Sequence, residues 1–136
     1  MKIVHVLGQV GRVVHNPEQH ALAGIGNAAL QIAAAQAALG HDVAVCGFSD
    51  PLPTGFGTWQ GVEISTVRRW GWARISPQLD ASLLLPSFAR LTRQRPIDVL
   101  HIHELGLLHL PLGRIRILHI HIPLGVSAAS SKLWRK

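Results

Sequence analysis

With 136 residues and 48% apolar side chains, the chain is long enough for one domain with a single core and too apolar for disorder. Its net charge of +6 suits an anionic partner (a phosphate ester, a nucleotide, an acidic membrane surface or nucleic acid), while 5% aromatic residues and no tyrosine argue against a platform for stacking nucleic-acid bases. The single cysteine, Cys46, excludes a disulfide framework within the chain and fits a reducing compartment. No apolar run approaches the ~20 residues of a membrane span, and Ile3 to Leu7 is too short for a signal-peptide core, so the expected setting is cytoplasmic, at most peripheral to the membrane.

In chain order, Lys2 to Leu7 reads as a first strand, and Gly8 to Leu22, with Gly8, Gly11, Asn16 and Pro17, as a loop. The stretch from Ala23 to Val45 organises the rest: a glycine turn, a helix, a glycine stop and a buried strand. Alanine dominates Ala28 to Leu39, and Leu30, Ala33, Ala34, Ala37 and Ala38 line one small-residue face suited to close packing on a sheet. Asn27 is the expected N-cap and Gly40 the left-handed stop. Asp42 to Cys46 is apolar on both faces, as a covered strand is.

Gly47 to Gly61, rich in glycine and proline, reads as a loop, and Val62 to Val67 as a third strand near an edge. Ser76-Pro77 opens a second helix with an apolar stripe of Leu79, Leu83, Leu84, Phe88 and Leu91. Pro86 should kink it, Arg90, Arg93 and Arg95 complement its C-terminal dipole, and Pro96 ends it. Asp98 to His103 and Arg116 to Ile122 read as fourth and fifth strands, joined by a leucine-rich connection. Strands alternating with helices imply a Rossmann-like, three-layer α/β domain with a mostly parallel sheet, whose ligands bind at the carboxyl ends of the strands.

Four features bear on chemistry. The glycine turn before the helix leaves free backbone N–H groups that attract phosphate. Gly8-Gln9-Val10-Gly11 lacks a complete dinucleotide fingerprint, because position 6 is Val6 and the second strand ends in Cys46-Gly47-Phe48 with no acid for a ribose. The pairs His101/His103 and His119/His121 each share a strand face, so neighbouring strands would crowd four imidazoles; zinc is one reading. The other is that His101 and His119 are core histidines while His103 and His121 mark the ligand end. Arg68 to Arg74, with Trp70 and Trp72, reads either as a solvated loop or as a contact for anionic lipid. No arrangement for nucleophilic catalysis stands out, and Cys46 sits in a buried strand.

Taken together, the opening strand Lys2-Ile3-Val4-His5-Val6-Leu7, Gly40-His41-Asp42-Val43, Asp98-Val99-Leu100-His101-Ile102-His103-Glu104, and His119-Ile120-His121 followed by Ser127, Ser130 and Ser131 form a pattern. In order and spacing, over nearly the whole chain, it resembles the N-terminal half of GT-B glycosyltransferases of family 4, the group that includes phosphatidylinositol mannosyltransferases. The resemblance implies a nucleotide-sugar donor (UDP- or GDP-linked), retention of configuration and an unidentified acceptor, with no cofactor and no required metal. Gly24 corresponds to the second glycine of the family's Gly-Gly loop, which approaches the donor diphosphate, and Ala23 stands where the first would be. His121 corresponds to the histidine needed for transfer, and His103 and Glu104 to the acceptor side of the cleft. The resemblance also implies a second, donor-binding Rossmann-like domain beyond residues 1–136. The isolated chain is therefore expected to be inactive and to hold a nucleotide sugar poorly without that domain or a partner chain. The competing readings are a non-catalytic Rossmann-like binding module, a histidine-rich metal-binding protein and, last, a dehydrogenase.

Overall fold

A computed structural model describes residues 1–8, 10, 25–49, 54–68, 82–93, 95–103 and 114–118. They form strands β1 (Lys2–Leu7), β2 (Asp42–Phe48), β3 (Gly55–Trp59), β4 (Val62–Val67), β5 (Val99–Ile102) and β6 (Ile115–Leu118), with helices α1 (Ile25–Ala38) and α2 (Leu85–Leu91). One sheet carries all six strands in the order β3-β4-β2-β1-β5-β6. Every pairing is parallel except β3 with β4. Setting β3 aside, the five parallel strands run 3-2-1-4-5 in chain order, the arrangement of Rossmann-like domains. The expected α/β class is thus the observed one.

The sheet is covered on both faces. On one side Ala29, Leu30 and Ala33 of α1 pack with Ile3, Leu7, Val43, Val45, Val62 and Ile64. On the other, Leu84, Phe88 and Leu91 pack with Val4, Val6, Cys46, Phe48, Leu100 and Ile102. Alternate residues of β1, β2, β4 and β5 feed the two cores, which is why β1 is buried along its entire length. Small side chains on α1 let the helix lie close to the sheet. At Gly47 the fit is tightest: a β-carbon there would run into the carbonyl oxygen of Leu7 and come within 3.0 Å of Val10 Cγ2.

The amino rim is stapled by charge. The Lys2 backbone N–H donates to Asp98 Oδ2 at 2.8 Å, and Lys2 Nζ reaches Asp42 Oδ2 at 3.1 Å, so one residue ties β1 to the starts of β2 and β5. Arg95 adds an ion pair to the same Asp98 oxygen at 3.3 Å. Gly40, at φ 84°, turns the chain from α1 into β2 as anticipated.

Local expectations need four corrections. Helix α1 begins at Ile25, so Asn27 lies inside its first turn and does not cap it. The loop expected over Gly47 to Gly61 contains the end of β2 and all of β3, which returns to β4 through a two-residue hairpin turn. Gln60 and Gly61 both have positive φ, at 48° and 78°, as a type I′ turn requires. Pro86 does not kink a helix: the helical run breaks at Leu84 and restarts with Pro86 in the first turn of α2, where its missing N–H costs nothing. Finally, α2 stops at Leu91 with Thr92 as C-cap, so Pro96 does not end it, and only Arg90 lies in its last turn. Thr92 Oγ1 donates to the carbonyl of Phe88 at 2.8 Å.

Candidate functional site

In an open parallel sheet, ligands bind beyond the carboxyl ends of the strands, at the point where successive connections leave in opposite directions. Here that point lies between β1, whose chain continues towards β2, and its other neighbour β5. Side chains from both strands meet there on the α1 face.

His5 pairs directly with His101 in the β1–β5 register. His103 follows the last residue of β5, and its backbone N–H donates to the Val6 carbonyl at 3.0 Å, extending the ladder by one step. All three imidazoles are buried. Their ring centroids are 4.8 Å (His5–His101), 5.3 Å (His5–His103) and 4.2 Å (His101–His103) apart. His5 Nδ1 lies 3.0 Å from His103 Nε2, and His5 Nε2 lies 2.7 Å from Gln36 Oε1 on α1.

This chain of contacts has a direction. An amide oxygen only accepts, so His5 Nε2 carries a hydrogen and donates to Gln36. Burial holds the His5 imidazole below its ordinary pKa, against the raising effect of the Gln36 hydrogen bond, so the ring is neutral near pH 7. A neutral ring with hydrogen on Nε2 leaves Nδ1 as an acceptor. His103 Nε2–H therefore donates to it. Gln36, on the helix, thus sets the tautomer of a histidine at the end of β5.

The helix also frames the rim. Its last turn leads through Gly40 to Asp42, whose N–H donates to the Met1 carbonyl at the amino rim. Fourteen helical residues span about 21 Å, so the N-terminus of α1 lies toward the carboxyl rim, where β5 delivers His103. Helix α1 starts one residue after Gly24.

Of the residues singled out beforehand, the structure brings His101 and His103 together, and both are buried. Gly24, Glu104, His119 and His121 lie outside the described residues, as do Gln9 and Gly11 of the incomplete fingerprint and Trp70 and Trp72 of the basic segment. Strands β5 and β6 are neighbours, as the four-imidazole reading assumed. The cluster among the described residues nevertheless draws its third ring from β1. Reading along the chain missed His5 and Gln36. The available signal was a histidine at the centre of a strand otherwise apolar on both faces, a position that demands a polar partner.

Cys46 is buried against Ser87, and burial pushes its thiol up to about 12, opposed by the Ser87 hydrogen bond. It is no nucleophile at neutral pH. Among the described residues no helix is long and apolar enough to cross a membrane.

Fold and site together define a Rossmann-like α/β domain with three buried histidines on β1 and β5, at its topological switch point. The family model of the glycosyl transferase 4-like domain matches residues 23–135. The chain belongs to that family. No curated protein and no solved structure gives a match to it. The matched span includes α1, His101 and His103, while His5 lies before it.

Proposed function

We propose that this chain is the acceptor-side domain of a retaining glycosyltransferase that moves a sugar from a UDP- or GDP-linked donor to an acceptor bound at the carboxyl rim of the sheet. The observation that carries the reading is His103: a buried imidazole at the end of β5, at the switch point, with its tautomer set through His5 and Gln36. The family match supports the transferase class. In this reading Glu104 continues the acceptor wall next to His103. Gly24, one residue before α1, lets the helix amides approach the donor diphosphate. His121 stands at the reacting sugar and its phosphate. A second Rossmann-like domain, in the same polypeptide or a partner, supplies the nucleotide site.

The test is release of nucleoside diphosphate from UDP- and GDP-sugars by the chain together with its donor-binding domain. His121→Ala should lower turnover by ~10²-fold or more, the scale of losing a positioned electrostatic or proton-handling group. Turnover equal to that of the unsubstituted protein would remove His121 from the chemistry. Calorimetry on the chain alone should show nucleotide-sugar affinity weaker than millimolar, and tighter binding would place the donor site within these residues.

A further inference from the structure

We infer that His5, His101 and His103 form a binding site for a divalent transition-metal ion of the zinc class, with Gln36 as its outer support. The inference does not rest on the transfer reading, which asks for no metal, but the two share His103.

The spacing of the three rings suits a single ion. Zinc holds imidazole nitrogens at about 2.0–2.1 Å, so three rings around one tetrahedral ion have neighbouring donor atoms roughly 3.3 Å apart and ring centroids roughly 5 Å apart. The three centroid separations here are 4.8, 5.3 and 4.2 Å. The His5 Nδ1 to His103 Nε2 distance is 3.0 Å, and one donor atom from each of the three rings lies within 4.8 Å of the other two. Two of the three centroid separations and the one close donor-atom distance are near those of a bound ion. The third requires the stacked His101 and His103 rings to part by about 1 Å.

Gln36 supplies an outer support. Metal-binding histidines donate their other ring N–H to a carbonyl or carboxylate, which fixes the tautomer and aims the lone pair. Gln36 Oε1 does this for His5, at 2.7 Å. It leaves Nδ1, the atom facing His103, as the ligating nitrogen. On binding, the ion takes the place of the His103 Nε2 hydrogen that now lies between the two rings. That proton moves to His103 Nδ1, so the ring stays a neutral imidazole.

The donor set selects the class of ion. Neutral imidazoles suit zinc, copper and nickel, and do not suit magnesium or calcium. Three protein ligands leave a fourth position for water or a ligand oxygen, the form of an open site rather than a closed structural one. Its place at the switch point, where a Rossmann-like sheet receives ligands, fits an open site.

The test uses the full chain, stripped of metal, titrated with Zn²⁺ by calorimetry and with Co²⁺ by visible absorption. One equivalent should bind with micromolar affinity or better, and the cobalt spectrum should report tetrahedral nitrogen ligation. His101→Gln and His103→Gln should each weaken Zn²⁺ binding by more than ~100-fold. Gln36→Ala leaves every ligand in place and should weaken it by about 10–100-fold, the cost of losing outer support. His41→Gln, in the turn after α1, should change nothing. Because a core histidine variant risks unfolding, circular dichroism accompanies each one, and the half-buried Gln36 on its alanine-rich helix supplies the variant that keeps its fold. The proposal is overturned if the unsubstituted chain binds no Zn²⁺ at micromolar concentration. It is equally overturned if a folded His101→Gln/His103→Gln protein, or Gln36→Ala, binds Zn²⁺ as tightly as the unsubstituted chain.

Discussion

Single side chains here do their work through what burial permits them to ionise. Cys46 lies in the core between the sheet and α2, and its thiol, pushed up to about 12, stays protonated across the physiological range. Alkylating reagents attack the thiolate. Native protein at mildly alkaline pH should therefore resist iodoacetamide, while protein in denaturant is modified at the rate of an ordinary cysteine. Mass spectrometry of the two samples reads the difference, and rapid labelling of the native form would place Cys46 at the surface. His5 shows the same physics with a different outcome. A neutral buried imidazole must still satisfy both nitrogens, and it does so with Gln36 on one side and His103 on the other.

At the scale of elements, backbone conformation decides what side-chain pattern alone does not. The β3–β4 hairpin turns on two residues of positive φ, and Gln60 is a poor residue for the first of them. Asparagine reaches the left-handed region at lower cost. Gln60→Asn should stabilise the protein by a few tenths of a kcal/mol, or roughly 1–2 °C in Tm for a chain of this size, and Gln60→Val should lower Tm. Calorimetric melting of the two variants checks the sign. The same turn explains why β3 escaped sequence reading. Its two glycines, Gly55 and Gly57, look like loop, and Gln-Gly is not among the usual hairpin signals, yet the strand pairs with β4 and forms the edge of the sheet. Helix α2 misled for a related reason. The apolar stripe continues across Leu83 and Leu84, but Pro86 lacks the N–H that a continuous helix needs, so the run restarts at Leu85. Where the pattern was strong and the chemistry simple, as in α1 with its alanine face and Gly40 stop, reading and structure agree to within a few residues.

Across the whole molecule the two rims of the sheet have different tasks. The amino rim is held by Lys2, Asp42, Asp98 and Arg95, and the carboxyl half carries the histidines. The Lys2 backbone N–H, and after it Arg95, hold the Asp98 carboxyl below the usual carboxylate range. A carboxyl whose folded pKa is depressed contributes stability that is complete above its unfolded pKa, near 3.9, and is lost as pH falls through the folded value. Urea denaturation should thus show Asp98→Asn less stable than the unsubstituted chain at neutral pH. The gap should narrow progressively below about pH 4. A gap independent of pH would mean that packing, and not the ionised carboxylate, accounts for the loss. Both acids belong to the stretches on which the family resemblance rests, Gly40-His41-Asp42-Val43 and Asp98 to Glu104, and their role is to fasten strand starts on the rim away from the candidate site.

The order of residues by itself determined the α/β class, the alanine-faced helix, the buried strands and the family, because these depend on local propensity, on apolar periodicity and on motifs a few residues long. It also marked His101 and His103, which share a strand face by simple alternation. Only the tertiary structure decided that their partners are His5 and Gln36. His5 and His103 stand 98 positions apart in the chain, and nothing local says that β5 will lie beside β1. That adjacency follows from how the crossovers distribute strands to either side of β1, and it turns a lone histidine in an apolar strand into a member of the buried cluster.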